Sequence, residues 1–140
     1  MQDISKYKIV ALDTNIFIYY LNANSQFYSV SASIIEKIVQ GNLRAVTSIL
    51  TLIELLSFDI PKDAVKKLEQ EFSDMPNITL KEVSLNIAKI AARLRREQGI
   101  KLADSIQLAT ALDTNAQAFI TNDSRLKKFK ELSVFLLKDI

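Results

Sequence analysis

Residues 8–13 read Lys8-Ile9-Val10-Ala11-Leu12-Asp13, an uninterrupted apolar run that ends in a carboxylate. A strand that is apolar at consecutive positions has both faces buried, which is typical of a parallel sheet covered by helices. The segment therefore predicts a central strand of an α/β fold. It also places Asp13 just beyond that strand's carboxyl end, the edge of a parallel sheet at which functional crevices form.

The rest of the chain alternates between short apolar runs and segments with helical periodicity. Further strands are predicted at 44–47, 77–80, 118–121 and 134–137. Helices are predicted at 16–21, 25–40, 49–58, 63–72, 83–98, 103–114 and 124–129. This alternation indicates an α/β sandwich with a mainly parallel sheet. The 140 residues contain no linker, repeat or low-complexity tract, so we expect one domain over 1–140.

The composition excludes several kinds of chemistry. The chain has no Cys and no His, which removes thiol nucleophiles, disulfides, Ser-His-Asp triads and His-based metal sites. Gly41 and Gly99 are its only glycines, so it has no glycine-rich phosphate loop. Any catalysis must therefore use carboxylates, hydroxyls, amides, Lys, Arg or a metal held by oxygen.

The hydropathy pattern gives an expectation about location. The longest nearly apolar stretch, 49–58, is interrupted by polar residues and is shorter than the roughly 20 residues that span a bilayer. The first residues are polar and lack the layout of a signal peptide. We expect a cytoplasmic protein with no membrane partner.

Four acidic residues could meet at the carboxyl edge of the sheet. They are Asp13 and Asp123, which each follow a predicted strand, and Glu54 and Asp104, which lie in helices beside strands. Glu54 is flanked by Leu and Ile and has no basic residue three or four positions away, so we expect a buried carboxylate that needs a cation. Mg²⁺ or Mn²⁺ prefers oxygen ligands and would relieve repulsion among such acids. A metal site of this kind can hydrolyse a phosphodiester by activating water.

Each acid also has a local structural interpretation. Asp13 and Asp123 could cap the helices that follow them. Two other segments, Asp104 to Gln107 and Thr51 to Glu54, have the spacing of capping boxes. In that case the side chains satisfy backbone N–H groups and need no metal. The residues alone leave both interpretations open.

Taken together, the four acidic segments resemble the motifs of PIN-domain nucleases, above all the VapC toxins of toxin–antitoxin pairs. The similar segments are 10–18 (VALDTNIFI), 47–55 (TSILTLIEL), 102–112 (LADSIQLATAL) and 119–123 (FITND). The resemblance implies a Mg²⁺- or Mn²⁺-dependent endoribonuclease, a homodimer and a cognate antitoxin. It also implies a three-layer sandwich around a five-stranded parallel sheet of order 3-2-1-4-5. Gln107-Leu108 stands where the family more often has small or apolar residues, which we interpret as a variation in helix packing.

The same resemblance implies roles for individual residues. Asp13 and Asp104 would bind the metal directly, and Glu54 would complete the site or orient a water. Asp123 would bind a second metal or act through water. Three polar neighbours would contact the metal or the groups that bind it: Thr14, Asn15 and Thr121.

Basic residues near the last two motifs are candidates for contacts to the RNA backbone. They are Lys89, Arg93, Arg96, Lys101, Arg125 and Lys127. Cations there would offset the repulsion between an acidic site and a polyanion, and they would make binding sensitive to salt. The alternative is an ordinary solvated helix face.

Two other functions fit parts of the pattern. A receiver-like phosphoacceptor domain is also a small α/β protein with a Mg²⁺-binding acidic pocket, but Asp13 has no adjacent acid and the third strand runs into Lys81-Glu82. The second alternative is a PIN fold that serves as a catalytically inactive binding module. The presence of all four acids argues against it.

Overall fold

A five-stranded parallel sheet forms the centre of the protein. The computed structural model describes residues 3–140. The strands are β1 (Ile9–Leu12), β2 (Arg44–Ser48), β3 (Ile78–Lys81), β4 (Ala118–Thr121) and β5 (Ser133–Leu136). All neighbouring pairs are parallel and the order is β3-β2-β1-β4-β5, which confirms the predicted topology. Receiver-like domains have the flavodoxin-like order 2-1-3-4-5, so the sheet excludes that alternative.

Helices connect the strands. In the described residues they are α1 (Thr14–Tyr20), α2 (Tyr28–Val39), α3 (Ile49–Leu55), α4 (Lys62–Ser73), α5 (Leu85–Gln98) and α6 (Leu102–Asp113). The predicted helix at 124–129 is a 3-10 helix, Ser124–Lys128, and another 3-10 turn, Leu137–Asp139, follows β5. No helix in residues 3–140 is long and apolar enough to cross a membrane.

Side chains alternate across the strands and separate the core into two layers. Val10 and Leu12 pack on one face of the sheet with residues of α1, α2 and α4. Ala11 lies on the other face with residues of α5 and α6. Helices therefore cover both faces, which explains why β1 is apolar at every position. The result is the predicted three-layer sandwich.

Caps determine where the helices beside the sheet edge begin. Ser48, the last residue of β2, caps α3 by accepting a hydrogen bond from the Leu50 N–H at 3.1 Å. Thr51 lies inside α3, so the capping-box interpretation of Thr51 and Glu54 is wrong. Lys101 is the capping position of α6, which puts Asp104 inside the first turn. The capping-box interpretation of Asp104 is therefore wrong as well, because Asp104 is not the N-cap residue of α6.

The connections at this edge are short. Asp13 alone separates β1 from α1, and α3 follows β2 without a loop. Gly99 ends α5 in the left-handed conformation with φ 65°, so the chain turns within three residues into α6. These short connections hold Asp13 at the end of β1 and fix where α3 and α6 begin.

Candidate active site

Asp13 is the most firmly held acid at the carboxyl edge of the sheet. Its side chain is buried, with 9% of the residue exposed. One carboxylate oxygen accepts the Thr14 N–H at 2.9 Å, and the other accepts the Thr121 hydroxyl at 2.7 Å. Its own backbone N–H donates to the Ile120 carbonyl at 3.0 Å, so β1 and β4 both fix its position. The capping interpretation of Asp13 is correct, but the cap uses only one of the two oxygens.

The pKa of Asp13 is raised to about 6, and burial is the largest cause. The hydrogen bonds from Thr121 and Thr14 oppose the rise, while the negative charges of Asp104 and Glu54 contribute to it. Within residues 3–140 no Lys or Arg forms an ion pair with Asp13. Ionised at neutral pH, this carboxylate is a buried charge that favours a nearby cation.

Glu54 lies on the exposed side of α3, so the expectation that it is buried is wrong. The helix is seven residues long and buries Thr51 and Leu55, which leaves Ile53 and Glu54 facing solvent. The Glu54 carboxylate accepts a hydrogen bond from the Thr14 hydroxyl at 3.1 Å. Glu54 therefore stands beside Asp13 at the mouth of the site.

Asp104 and Asp123 have opposite environments. Asp104 is half-buried, and burial raises its pKa, with a further rise from the charge of Asp123. Asp123 caps the 3-10 helix by accepting the Arg125 N–H at 3.0 Å, as the capping interpretation predicted. Its carboxylate also accepts the Arg125 Nε–H at 2.9 and 3.1 Å, and these bonds lower its pKa. Asp123 is thus already neutralised by a protein cation, whereas Asp13 is not.

Charge repulsion links each of these acids to its neighbour. Glu54 and Asp104 both act on Asp13, and Asp123 acts on Asp104. Among residues 3–140, however, no three acids form a group compact enough to hold a metal ion by themselves. Mg²⁺ commonly binds through one or two carboxylates and keeps several waters. The buried charge of Asp13, the neighbouring Asp104 and the all-oxygen donor set fit such an ion.

A buried network of uncharged groups lies beneath the acids. The Thr47 hydroxyl donates to the Leu12 carbonyl at 2.9 Å, and the Thr51 hydroxyl lies 2.6 Å from that of Thr47. The Gln107 amide donates to Thr51 at 2.9 Å and to Thr14 at 3.2 Å. Its carbonyl accepts the Ser48 N–H at 3.4 Å. The network ties α6 to the ends of β1 and β2.

A family comparison matches most of the chain. The PIN-domain family model covers residues 10–132. This chain belongs to the PIN-domain family. PIN-domain nucleases generally use a divalent metal ion, in keeping with the oxygen-bearing side chains at this edge of the sheet. None of the curated proteins compared with this PIN domain matches it in sequence.

Solved structures share the fold. A chain of the VapBC2 complex from Rickettsia felis, bound to a promoter DNA fragment, has a TM-score of 0.73 at 21% identity, over 91% of this chain and 98% of that chain. A toxin–antitoxin complex from Klebsiella pneumoniae gives 0.70 at 21% identity, over 94% and 99%. The sarcin–ricin loop cleaving toxin VapC20 from Mycobacterium tuberculosis gives 0.66 at 16% identity, over 89% and 98%.

Gln107 is the residue of this PIN domain that sequence reasoning missed, because a glutamine in a mostly apolar helix is easily interpreted as packing. It is 2% exposed and bonds to three elements. The signal that could have found it is its position, three residues after Asp104 and thus one turn along the same face of α6. Its hydrogen bonds hold in place the residues next to the acids, Thr14 beside Asp13 and Thr51 in the helix of Glu54.

We expect Gln107→Leu to lower kcat/KM for RNA cleavage by about 10- to 100-fold, the usual effect of losing a group that orients metal ligands. It should also lower the free energy of unfolding by about 1–3 kcal/mol, because Thr51 and Ser48 lose buried partners. The control is Thr110→Val on the same helix, where the lost hydroxyl bonds only to the Ile106 carbonyl. Full cleavage by folded Gln107→Leu protein would show that Gln107 only fills space.

The other polar neighbours of Asp13 have distinct contacts. Thr14 and Thr121 are buried and bond to Glu54 and Asp13 respectively. Asn15 has a buried side-chain oxygen without a hydrogen-bond partner in the described residues. A buried carbonyl oxygen without a donor is costly, so Asn15 has unused capacity to accept a hydrogen bond or a cation.

The predicted RNA-contact residues fall into three groups. Arg93 donates to Glu131 at 2.8 and 3.2 Å and to Glu97 at 3.3 Å, and Lys127 donates to the Val134 carbonyl at 2.8 Å. The positive charges of Lys101 and Arg125, in contrast, lower the pKa of Asp104, so they lie beside the acids. Lys89 and Arg96 are exposed on α5.

The raised pKa of Asp13 predicts a pH-dependent stability in EDTA. Folded protein holds this proton up to about pH 6, whereas the unfolded chain releases it near pH 3.8, so stability falls as the pH rises through that window. Relative to Asp13→Asn, the wild type should lose up to about 3 kcal/mol, since one pKa unit corresponds to about 1.4 kcal/mol. Urea melts between pH 4 and 7.5 measure the difference.

The matched variant for this experiment is Thr121→Val, which removes a hydrogen bond that lowers the pKa of Asp13. In Thr121→Val the free energy of unfolding should therefore continue to fall up to a higher pH than in the wild type. Groups with lowered pKa values, such as Asp123 and Glu131, act equally in wild type and variants and cancel in the comparison. A difference that stays constant from pH 4 to 7.5 would contradict the assignment.

Proposed function

We propose that this PIN domain is a metal-dependent endoribonuclease and the toxin of a toxin–antitoxin pair. The observation that carries the proposal is the buried Asp13 carboxylate, which forms no ion pair within the described residues and lies beside Asp104 and Glu54. VapC20, which shares the fold, is a toxin that cleaves the sarcin–ricin loop. With no His and no Cys in the chain, hydrolysis by carboxylates and a metal held by oxygen fits the groups that this site contains.

Asp13 and Asp104 would hold the Mg²⁺ or Mn²⁺ ion, which when bound supplies positive charge for the phosphate and a more acidic water. The Thr14 N–H and the Thr121 hydroxyl keep both oxygens of Asp13 in fixed directions. Glu54, exposed and hydrogen-bonded to Thr14, would accept the proton of the attacking water. Water attacks phosphorus in line, the P–O3′ bond breaks and the leaving O3′ takes up a proton from solvent, which gives a 5′-phosphate and a 3′-hydroxyl.

Asp123 acts in this proposal mainly by fixing Arg125. A guanidinium has five N–H donors, and the contacts to Asp123 use Nε and one Nη2 proton. Three donors stay free for a phosphate oxygen, and Arg125 is held near Asp104, whose pKa it lowers. An arginine in this position offsets the repulsion between the acids and RNA.

The direct test is incubation of the purified full chain with mixed RNAs in Mg²⁺, Mn²⁺ or EDTA. We expect cleavage with a divalent ion and none in EDTA, and 5′-phosphate ends at the cut sites. Asp104→Asn protein purified in the same way controls for contaminating ribonuclease. An intact RNA pool in all conditions would favour the inactive binding module.

The partners follow from the same proposal. We propose that residues 1–140 form one nuclease domain that works as a homodimer in the cytoplasm and is neutralised by an antitoxin protein. Support comes from the fold shared with chains of the Rickettsia and Klebsiella complexes. Induced expression of the wild type should arrest bacterial growth, while Asp104→Asn should not. Light scattering of the purified chain tests the dimer.

A further inference from the structure

A pocket of about 410 Å³ opens beside Asp104. The turn between α5 and α6 forms one side, with Ile100 and Lys101, and the segment that follows β4 forms the other, with Arg125, Lys128 and Phe129. Its volume falls in the range of about 300–1,000 Å³ that is usual for pockets binding small organic molecules. It is therefore much larger than a single phosphate group requires.

The pocket combines positive charge with apolar walls. Its charged side chains are three cations, Lys101, Arg125 and Lys128, and one anion, Asp104. Ile100 is half-buried, and Phe129 contributes the small part of its surface that is not in the core. Cations suit a phosphate group, and apolar walls suit a sugar and a base. A nucleotide has both parts.

Asp104 joins the pocket to the acidic site. It lines the pocket, and the charges of both Lys101 and Arg125 act on its carboxylate. Arg125 extends the connection, because it binds Asp123 and also lines the pocket. A nucleotide seated here would lie next to a phosphate placed at the acids.

We infer that this flanking-nucleotide pocket, formed by Ile100, Lys101, Arg125, Lys128 and Phe129 beside Asp104, binds the RNA nucleotide adjacent to the scissile phosphate. The phosphate of that nucleotide lies on Lys101 and Lys128, and its base lies against Ile100 and Phe129. The inference rests on the proposed ribonuclease activity and deepens it, because it states on which side of the acids the RNA strand runs.

The pocket also distinguishes among the basic residues. Lys101 and Lys128 line it, while Lys127 points its ammonium at the Val134 carbonyl and at Asp139, 3.5 Å away. Arg93 is held by Glu131 and Glu97. Lys128 belongs to the basic run that follows Asp123, but the sequence favoured Lys127 as the RNA contact, because neighbouring basic residues look alike until the backbone turns one of them into a pocket.

The test measures binding of a fluorescent single-stranded RNA to the full chain in EDTA, where no metal-dependent cleavage occurs, over a range of salt concentrations. The variant is Lys101→Ala with Lys128→Ala. The control is Lys66→Ala with Lys130→Ala, which removes the same charge at two exposed positions outside the pocket. Loss of this phosphate contact should flatten the slope of log affinity against log salt by about 0.7, the contribution of one neutralised phosphate on a single strand.

We expect the pocket variant to bind about tenfold more weakly and the control to keep the wild-type slope. Arginine at both pocket positions should restore binding, which separates lost contacts from misfolding. Removing the base on one side of the mapped cleavage site should weaken cleavage by the wild type, and Ile100→Ala should reduce that sensitivity. Equal binding by the pocket and control variants would overturn the inference, while Mg²⁺-dependent cleavage by the wild type would leave the proposed function standing. Absence of both RNA binding and cleavage would overturn both.

Discussion

Asp104→Asn and Asp13→Asn are each expected to lower RNA cleavage by roughly a thousandfold. A bound divalent ion contributes several kcal/mol to charge stabilisation in phosphodiester hydrolysis, and each 1.4 kcal/mol corresponds to about a factor of ten in rate. The amide keeps the shape of the carboxylate and loses its negative charge. Asp13 is buried and Asp104 half-buried, so no solvent-exposed acid can easily replace either one.

Cleavage rates at saturating Mg²⁺, with circular dichroism to confirm folding, measure the loss. The matched control is Asp113→Asn, the same substitution at the other end of α6, where the carboxylate bonds to the Asn86 amide. It should cleave at close to the wild-type rate. Near-normal cleavage by Asp13→Asn or Asp104→Asn would show that the carboxylates serve only the fold.

Divalent ions are expected to stabilise the wild type strongly. Metal that binds the folded site and not the unfolded chain adds about 2.7 kcal/mol at a hundredfold excess over Kd. For a domain of this size that corresponds to a rise in Tm of about 10 °C. Asp104→Asn should lose most of this gain. In EDTA above pH 6, its metal-free form should melt higher than the wild type, because repulsion with Asp13 and Asp123 is removed.

Thermal melts in EDTA, Mg²⁺ and Mn²⁺ at matched ionic strength separate specific binding from general screening. Asp113→Asn again serves as the control and should show the full gain. If the wild type melted identically in all three solutions, no metal site would be assembled, and the hydrogen bonds of Asp13 would have to be explained as capping alone.

The topology was predictable because it depends on patterns along the chain. The continuous apolar run of β1 requires burial on both faces, and alternation with helices requires parallel strands. The position of Asp13 follows from the same pattern, since it directly ends β1. These features can be predicted from the local pattern of apolar and polar residues, without knowing which distant residues come into contact.

The environments of the acids were not predictable in the same way. Glu54 is flanked by apolar residues, yet it is exposed, because the packing of Thr51 and Leu55 decides which side of α3 faces solvent. The contacts of Gln107 join residues 59 and 93 positions apart, to which no local pattern points. The ion pair of Asp123 with Arg125 depends on a 3-10 turn in place of the predicted helix.

The hydroxyl and amide groups below the acids do not titrate at physiological pH. The bonds from Thr47 to Leu12 and from Gln107 to Thr51 therefore persist whether the carboxylates above them are protonated, ionised or bound to an ion. The buried network is therefore preorganised, because it forms when the chain folds. Binding of a cation changes the electrostatic potential of the site but not the shape of this network. The protection of the Ser48 amide from hydrogen exchange, measured relative to amides that open only on global unfolding, should consequently be the same on both sides of pH 6.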